Sequence, residues 1–420
     1  MINRFRIKNY KSFSDVEVKL SPLTVVLGPN SAGKSNLFDA LNLIARLVTQ
    51  KNIKDAFEGH RGLPLESIHY EKGDIIGLKS LENHVVGFEI DVTLSGHTVA
   101  VVEQRIRDLR KRIDSDRPQT EKRVTEKHLR YALDLDIQPE TGVVRVIDEK
   151  LSALRLNGEE KSRNPFISKT RGKISLRMEG QSHPTFHDVG LDYTIVSTPL
   201  YAPHYPHITA FREELSRCLF YYFEPRTLMR QSNAIADVTT PTPEGRELAA
   251  FYHTLKIRNP KYFDALKLAA RQILPRLTDL DIQKTEKAEL FLKITEDGAS
   301  YSNQLISEGT LRVLGLLAIL SPITGSTTVG YEEPENGVHP RRLQTIAELL
   351  KNAASGERQI LVNTHSPILP TYFTDKELLV CKRINGTTGF VPFSSFGELF
   401  KKGEIYRNLE DQIIRGDYGG

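Results

Sequence analysis

Residues 28–36 read GPNSAGKSN, so Gly28, Gly33, Lys34 and Ser35 stand at the spacing GxxxxGK[ST]. In such a loop backbone N–H groups wrap phosphate oxygens, the lysine neutralises the outer phosphates and the hydroxyl ligates magnesium. A helix starting at the end of the loop would add the positive end of its dipole. The competing reading, a glycine turn that merely caps a helix, gives no reason for a lysine and a hydroxyl side by side.

Three further clusters could serve the same chemistry. In TTVGYEEPENGVHP, residues 327–340, a β-prone run ends in Glu332 and Glu333 and then a proline. At the tip of a parallel strand beside a phosphate loop, one carboxylate can hold magnesium and the next can orient or deprotonate an attacking water. Glu332 is therefore expected on the metal and Glu333 on the water. QILVNTHSP, residues 359–367, is a second strand-like run that ends at His365, which can donate to a terminal phosphate. LISEGTLR, residues 305–312, opens an apolar helix, and locally Ser307 and Glu308 read as its N-cap and first-turn acid. Taken alone, the glutamates also read as solvated loop residues and the histidine as a polar strand end. The phosphate loop shifts the balance toward chemistry.

These residues need elements to hold them. Phe5, Ile7 and Tyr10, then Val16, Val18 and Leu20, alternate as strands do, and Leu23 to Leu27 is a continuous apolar run suited to a buried central strand. Leu37, Ala40, Leu41, Ile44 and Leu47 recur at helical spacing directly after the loop. The α/β pattern returns late in the chain, with a helix from Gly309, a strand over Thr327 to Tyr331, a helix from Pro340 and a strand over Gln359 to Asn363. Between them the sequence predicts strands at Val85 to Leu94 and Thr98 to Val102, then a basic amphipathic helix. That helix would carry Ile106, Leu109 and Ile113 on one face, with Arg105, Arg107, Arg110, Lys111 and Arg112 around it. A β-rich stretch over 131–200 and a mostly helical one over 207–275 follow. The expected fold is α/β, one nucleotide-binding head split into residues 1–100 and 291–420 with an inserted α+β region over 101–290.

The chain has 420 residues, 39% hydrophobic and 26% charged, with a net charge of +4. That composition allows a proper core and fits a nucleic-acid surface without requiring one. No apolar run approaches the roughly 20 residues that span a bilayer, and no signal-peptide core follows the basic start. Two cysteines, Cys218 and Cys381, argue against a disulfide framework or a zinc cluster, so a reducing cytoplasm is expected. His204 and His207 share a proline-containing loop that offers no further metal ligands.

Taken in order, the phosphate loop, SEGTLR, EEPENGVHP and NTHSP resemble the Walker A, signature, Walker B plus D-loop, and switch-histidine motifs of ABC-type ATPases. Asn30, the opening IKNYKSF and a glutamate at the Walker B acidic position narrow the likeness to the RecF/SMC-related group. Within it the chain resembles compact AAA-type ATPases with an EEPENGxHP motif, relatives of OLD-nuclease ATPase domains and of the ATPase subunits of Septu and PARIS anti-phage systems. The resemblance implies an ABC-type P-loop head in which Gly28, Pro29, Asn30, Ser31, Ala32, Gly33, Lys34, Ser35 and Asn36 bind ATP with Mg2+. It further implies Ser35 and Glu332 on the metal, Glu332, Glu333 and His365 as the catalytic set, Asn336 in the D-loop and Lys11 near the nucleotide. Ser307 and Gly309 would reach the γ-phosphate held by the other subunit. The chain departs from the pattern at Ser31 and Ala32 of the phosphate loop and in three further places. SEGTLR lacks the glycine pair of the transporter signature, Gly330 interrupts the Walker B strand, and no residue between 50 and 100 has the context of a Q-loop glutamine.

The function implied is an ATPase whose heads pair, as a homodimer or higher homo-oligomer, around ATP. It would act as a clamp or sensor over an effector protein encoded nearby, a nuclease or toxin, in anti-phage defence. The alternatives are a RecF-like repair or replication ATPase that binds DNA, for which the basic helix would contact phosphates, and an ATP-dependent scaffold with little turnover. The 55 residues after His365 are too few for the TOPRIM nuclease domain of OLD nucleases. No membrane partner is expected, and the signature and insertion are wrong for a transporter subunit.

Overall fold

The computed structural model describes residues 1–69, 84–111, 123–161, 164–181, 183–354, 356–384 and 386–396. Arg112 and Ile113 of the expected basic helix lie outside them.

The apolar run after Pro22 forms β3 (Leu23–Leu27), with every residue buried, as a strand covered on both faces must be. It lies in a six-stranded sheet of order β10 (Cys218–Tyr221), β15 (Thr328–Glu332), β16 (Gln359–Thr364), β3, β17 (Leu378–Ile384), β18 (Thr387–Pro392). The first five strands run parallel and β18 is antiparallel. Two hydrophobic cores sandwich this sheet. Val26, Leu361 and Cys381 face one, while Leu23, Val25, Leu27, Ile360 and Val362 face the other, following the strand period of two.

On the first face packs α1 (Lys34–Leu47), which buries Leu37, Phe38, Ala40, Leu41, Ile44 and Leu47. The short α2 (Ile53–Phe57) follows it. An eight-stranded antiparallel sheet adjoins the same core, in the order β2 (Phe13–Lys19), β1 (Ile2–Tyr10), β4 (Val85–Thr93), β5 (His128–Ile137), β6 (Val144–Ala153), β7 (Ile167–Thr170), β8 (Lys173–Leu176), β9 (Thr185–Asp188). Two helices, α3 (Gly96–Lys111) and α4 (Pro206–Ser216), pack on each other and into this core. The opposite face of the parallel sheet is covered by α5 (Leu248–Arg258), α6 (Pro260–Ile273), α7 (Glu308–Ile319) and α8 (Leu343–Ala353). A small sheet accompanies them, in which β13 (Glu289–Glu296) pairs with β11 (Asn233–Ala234), β12 (Leu277–Lys284) and β14 (Ala299–Ser302).

Two local readings need correction. Thr98 to Val102 is the start of α3 and not a strand: the Ser95 hydroxyl accepts a hydrogen bond from the Thr98 N–H at 3.1 Å, a helix cap, and Thr98, Val102 and Ile106 bury one helical face. The β-branched residues there suggest a strand, but the cap and the packing decide otherwise. Cys218 to Tyr221, inside the stretch read as mostly helical, is the edge strand β10 of the parallel sheet. The stretch expected as an insertion thus lends the head's sheet one strand, and β5 to β9 continue the sheet begun by β1, β2 and β4.

Candidate functional site

The register puts the chemistry at one edge. Thr364 pairs with Leu27 and Glu332 with Asn363, so β15, β16 and β3 end together. Gly28, Glu333 and His365, each the first residue past its strand, emerge side by side at the carboxyl ends of parallel strands, where such sheets bind ligands.

The loop after β3 is shaped by its glycines. Gly28 has φ 153° and Gly33 φ 107°, values a side chain resists. A Cβ on Gly28 would stand 2.2 Å from the Cys381 carbonyl oxygen, and one on Gly33 would meet Thr388 Oγ1. Ser31 takes φ 64° in the same turn. The loop is braced from β18, where Thr388 Oγ1 donates to the Ala32 carbonyl at 2.7 Å, and Asn36 Nδ2 donates to Ser12 Oγ at 2.9 Å. Gly33 is the N-cap of α1, and the first turn has neither a side-chain cap nor an acid. Amide donors and a helix dipole therefore face the loop uncompensated, which suits an anion. Lys34 Nζ donates to the Gly28 and Pro29 carbonyls at 2.7 and 2.8 Å, so its ammonium already sits in the cradle. Burial lowers the Lys34 pKa, and the negative charges of Glu333, Glu335 and Glu332 act against that shift.

Ser35 Oγ donates to Glu332 Oε2 at 2.8 Å, which brings together two hard oxygen donors from α1 and β15, the type of set that magnesium takes. The other Glu332 oxygen accepts from Arg61 Nη2 at 2.7 Å. Burial works against the Arg61 charge, but Glu332 and then Asp39 outweigh it and hold its pKa above the ordinary value. Lys11 Nζ pairs with Asp39 at 2.8 Å and donates to the Arg61 carbonyl, so the lysine of the opening motif reaches this group through Asp39.

Glu333 sits at φ 53°, a left-handed backbone that is unusual for a glutamate. Its N–H donates to the Asn363 carbonyl at 3.0 Å. Its carboxylate is gripped from both sides, by Asn336 Nδ2 at 2.5 Å and His365 Nδ1 at 3.2 Å. Glu335 turns inward beside it. Thr364 Oγ1 donates to its Oε1 at 2.5 Å, its Oε2 has no hydrogen-bond partner among the described residues, and burial raises its pKa.

Ser307 and Gly309 stand apart. Ser307 caps α7 by accepting from the Thr310 N–H at 3.1 Å, as the local reading has it, and its own face is exposed. Gly309 packs against the D-loop: a Cβ there would lie 2.3 Å from the Gly337 carbonyl oxygen. Among the described residues, no hydrogen bond or ion pair joins Ser307 or Gly309 to residues 28–36. His207 is engaged with Glu179 through Nδ1 and accepts the Thr125 and Glu126 N–H groups at Nε2.

Sequence reasoning missed Arg61, Asp39, Thr388 and Glu335. Asp39 left a trace, an acid one turn after Ser35 on the face of α1 that also carries Asn42 and Arg46. Glu335 stood in the EEPENGVHP motif without a role assigned to it. Arg61 and Thr388 left none, because they arrive from a loop and an edge strand remote in sequence.

A family model described as "AAA domain, putative AbiEii toxin, Type IV TA system" matches residues 23–369. An OLD nuclease of Thermus scotoductus is 39% identical over 44 residues, 10% of this chain and 8% of that protein. The DNA replication and repair protein RecF of Corynebacterium jeikeium is 34% identical over 68 residues, 16% of each chain. The chain therefore spans only a small part of either relative. Among solved structures, an SmcHead bound to the C-winged helix domain of ScpA aligns with TM-score 0.55 at 13% identity, over 93% of this chain and 97% of that one. An Smc head domain with an extended coiled coil, bound to the C-terminal domain of ScpA derived from Pyrococcus furiosus, aligns with TM-score 0.50 at 12% identity, over 99% of both chains. The fold is that of an SMC head, an ABC-type P-loop ATPase head.

Proposed function

The chain belongs to this AAA-domain family, and from that premise we propose that it binds ATP with Mg2+ and hydrolyses it at the shared edge of β3, β15 and β16. The observation that carries the reading is the convergence of Lys34, Ser35, Glu332, Glu333 and His365 from three strand ends, with Ser35 and Glu332 2.8 Å apart and Glu333 and His365 3.2 Å apart. Residues 28–36 would hold the triphosphate, and Ser35 with Glu332 would hold the Mg2+. When bound, that ion neutralises phosphate charge.

The protein's own groups supply the rest. Lys34 leaves its two carbonyls for the outer phosphates, and the amides of the loop and α1 bind their oxygens. Glu333, its two oxygens oriented by Asn336 and His365, accepts a proton from the attacking water. His365 would donate to the terminal phosphate and pass its departure to Glu333, which its Nδ1 meets at 3.2 Å. Ser307, exposed at a helix start, and the half-buried Gly309 beside it, with no bond to the loop of their own chain among the described residues, would reach a second copy's γ-phosphate. A head-to-head pair that closes on ATP and opens after hydrolysis is the resulting cycle. Residues 101–290 would carry the surface that reads this cycle out to an effector protein, a nuclease or toxin in anti-phage defence, with the cytoplasm as the setting.

Steady-state phosphate release with parallel ATP-binding measurements tests the reading. Glu333→Gln keeps the size and one acceptor oxygen but cannot take the proton, so turnover should fall by roughly 10²-fold or more with binding retained. Unchanged turnover in this variant would remove Glu333 from the mechanism. Absence of any Mg2+-dependent turnover in the unmodified protein would leave the ATP-dependent scaffold.

A further inference from the structure

A second polar site lies at the far end of α1. Helices α3 and α4 and the turn over residues 194–200 border an open cavity of about 370 Å³, lined by Arg105, Arg212, Glu213, Thr49, Thr198 and Thr209 among others. Helix α1 has 14 residues, so at 1.5 Å per residue this cavity lies about 21 Å along the helix from the phosphate loop.

The charges around it do not balance. Glu213 is the carboxylate of the lining, and it is shared: Arg105 Nη2 approaches one oxygen at 3.2 Å, while Arg217 binds the other through Nη2 at 2.9 Å and Nε at 3.1 Å. Arg212 forms no ion pair among the described residues. It is held by two long hydrogen bonds to main-chain carbonyls, Nη1 to Thr198 at 3.2 Å and Nη2 to Thr49 at 3.3 Å. Among the described residues, three guanidinium groups, that of Arg217 lying outside the lining, therefore meet one carboxylate. Burial, and after it the neighbouring Arg105, lowers the Arg212 pKa, and the Glu213 charge opposes them without offsetting them. Lining hydroxyls add polar capacity. Those of Thr49 and Thr198 donate to the Ala45 and Ile195 carbonyls, while Thr209 has no such commitment among the described residues.

We propose that this cavity is a binding site for a phosphomonoester group, held between the Arg105 and Arg212 guanidinium groups. A compact dianion answers the excess of two positive charges, and guanidinium groups match phosphate oxygens in bidentate geometry. The volume suits a small ligand, being near the lower end of the usual range for small-molecule pockets of roughly 300–1,000 Å³. The recess favours a terminal phosphate over the continuous backbone of a duplex. The same group is found on a free nucleoside monophosphate and on the 5′ end of a nucleic-acid strand. Because Arg212 also holds the Thr49 carbonyl, just past the end of α1, its engagement by a ligand would be felt by the helix that carries Lys34 and Ser35.

Titration calorimetry at low salt tests this with AMP, adenosine, and one trinucleotide carrying either a 5′-phosphate or a 5′-hydroxyl. Saturable binding of AMP but not adenosine is expected, retained in Lys34→Ala and weakened at least tenfold by Arg212→Gln and by Arg105→Gln. Binding of the 5′-phosphorylated trinucleotide alongside AMP would identify strand ends as a source, and AMP alone would identify free nucleotides. Circular dichroism checks folding. Should Arg212→Gln not fold, Arg105→Gln, whose parent side chain is half exposed, carries the same test. The proposal is overturned if no phosphomonoester binds, or if binding survives both glutamine substitutions.

Discussion

At the scale of single residues, Lys34 and the glutamate pair make separable predictions. Lys34 is the full positive charge inside the loop, and its bonds to two carbonyls tie the turn. Lys34→Ala should therefore weaken ATP binding by at least tenfold, since a hydrogen bond to a charged group is worth roughly 1.5–3 kcal/mol. A fluorescent-nucleotide titration with affinity equal to the unmodified protein would exclude Lys34 from the site. Glu332 and Glu333 are neighbours in sequence and opposites in surroundings. The first faces Ser35 and Arg61, the second Asn336 and His365. Glu332→Gln should raise the Mg2+ concentration needed for nucleotide binding, whereas Glu333→Gln should leave that dependence unchanged and stop turnover. If Glu332→Gln instead traps ATP with normal Mg2+ dependence, the two roles are exchanged. The site's carboxylates and loop were legible in sequence because each follows its own short strand. Arg61 and Thr388 were not, because only folding brings a distant loop and an edge strand onto them.

At the scale of elements, three glycines show why particular strands and helices meet. Gly330 looked like a defect in the strand that carries the glutamates. It pairs with Phe220 across β10 and β15, and a Cβ on it would lie 2.3 Å from the Phe220 ring. The gap in β15 is where an aromatic ring of β10 lies. Gly309 and Gly337 bring the start of α7 and the D-loop into backbone contact. Gly309→Ala would force Cβ against the Gly337 carbonyl, so we expect a loss of about 1–3 kcal/mol in urea unfolding, typical of overpacking. Unchanged stability would mean that the D-loop moves aside at little cost. Helix α3 gives the converse lesson. Its β-branched start reads as a strand until Ser95 caps it, because local propensity is a weak prior against capping and packing.

At the scale of the whole molecule, the composite site can be tested by mixing. Lys34→Ala and Ser307→Arg proteins should each be inactive alone. A heterodimer of the two collects both lesions in one site and leaves the other intact, so ATPase activity should partly return. Proven heterodimers with no recovery would argue for a site completed within one chain, or for two sites that must fire together. Fold stability carries a separate pH signature from Glu149, which is fully buried and accepts the Ile195 and Val196 N–H groups. Burial pushes its carboxyl from 4.5 up to about 7. The folded protein then holds a proton between those values that the unfolded chain has released, so this contribution is fully present below about pH 4.5 and is lost as pH rises through 7. From pH 5.5 to 7.5 the unmodified protein should lose about 2 kcal/mol that Glu149→Gln does not lose. Parallel slopes for the two proteins in urea unfolding would place the Glu149 titration elsewhere.

The sequence by itself determined the phosphate loop, the order of its four motifs and the alternation of strand and helix around them. Each of these is local: a spacing of a few residues, a period of two or 3.6, a glycine where the backbone must turn left-handed. Tertiary structure decided what those segments meet. Register between β3, β15 and β16 set Ser35 on Glu332, and the antiparallel sheet ran on into residues 128–188 without a break. The edge strand β10 came from the middle of the chain, and two arginines more than a hundred residues apart lined one cavity. Pairings of this kind depend on burial and hydrogen bonding between segments remote in sequence, and no local pattern of residue types encodes which partner a segment will find.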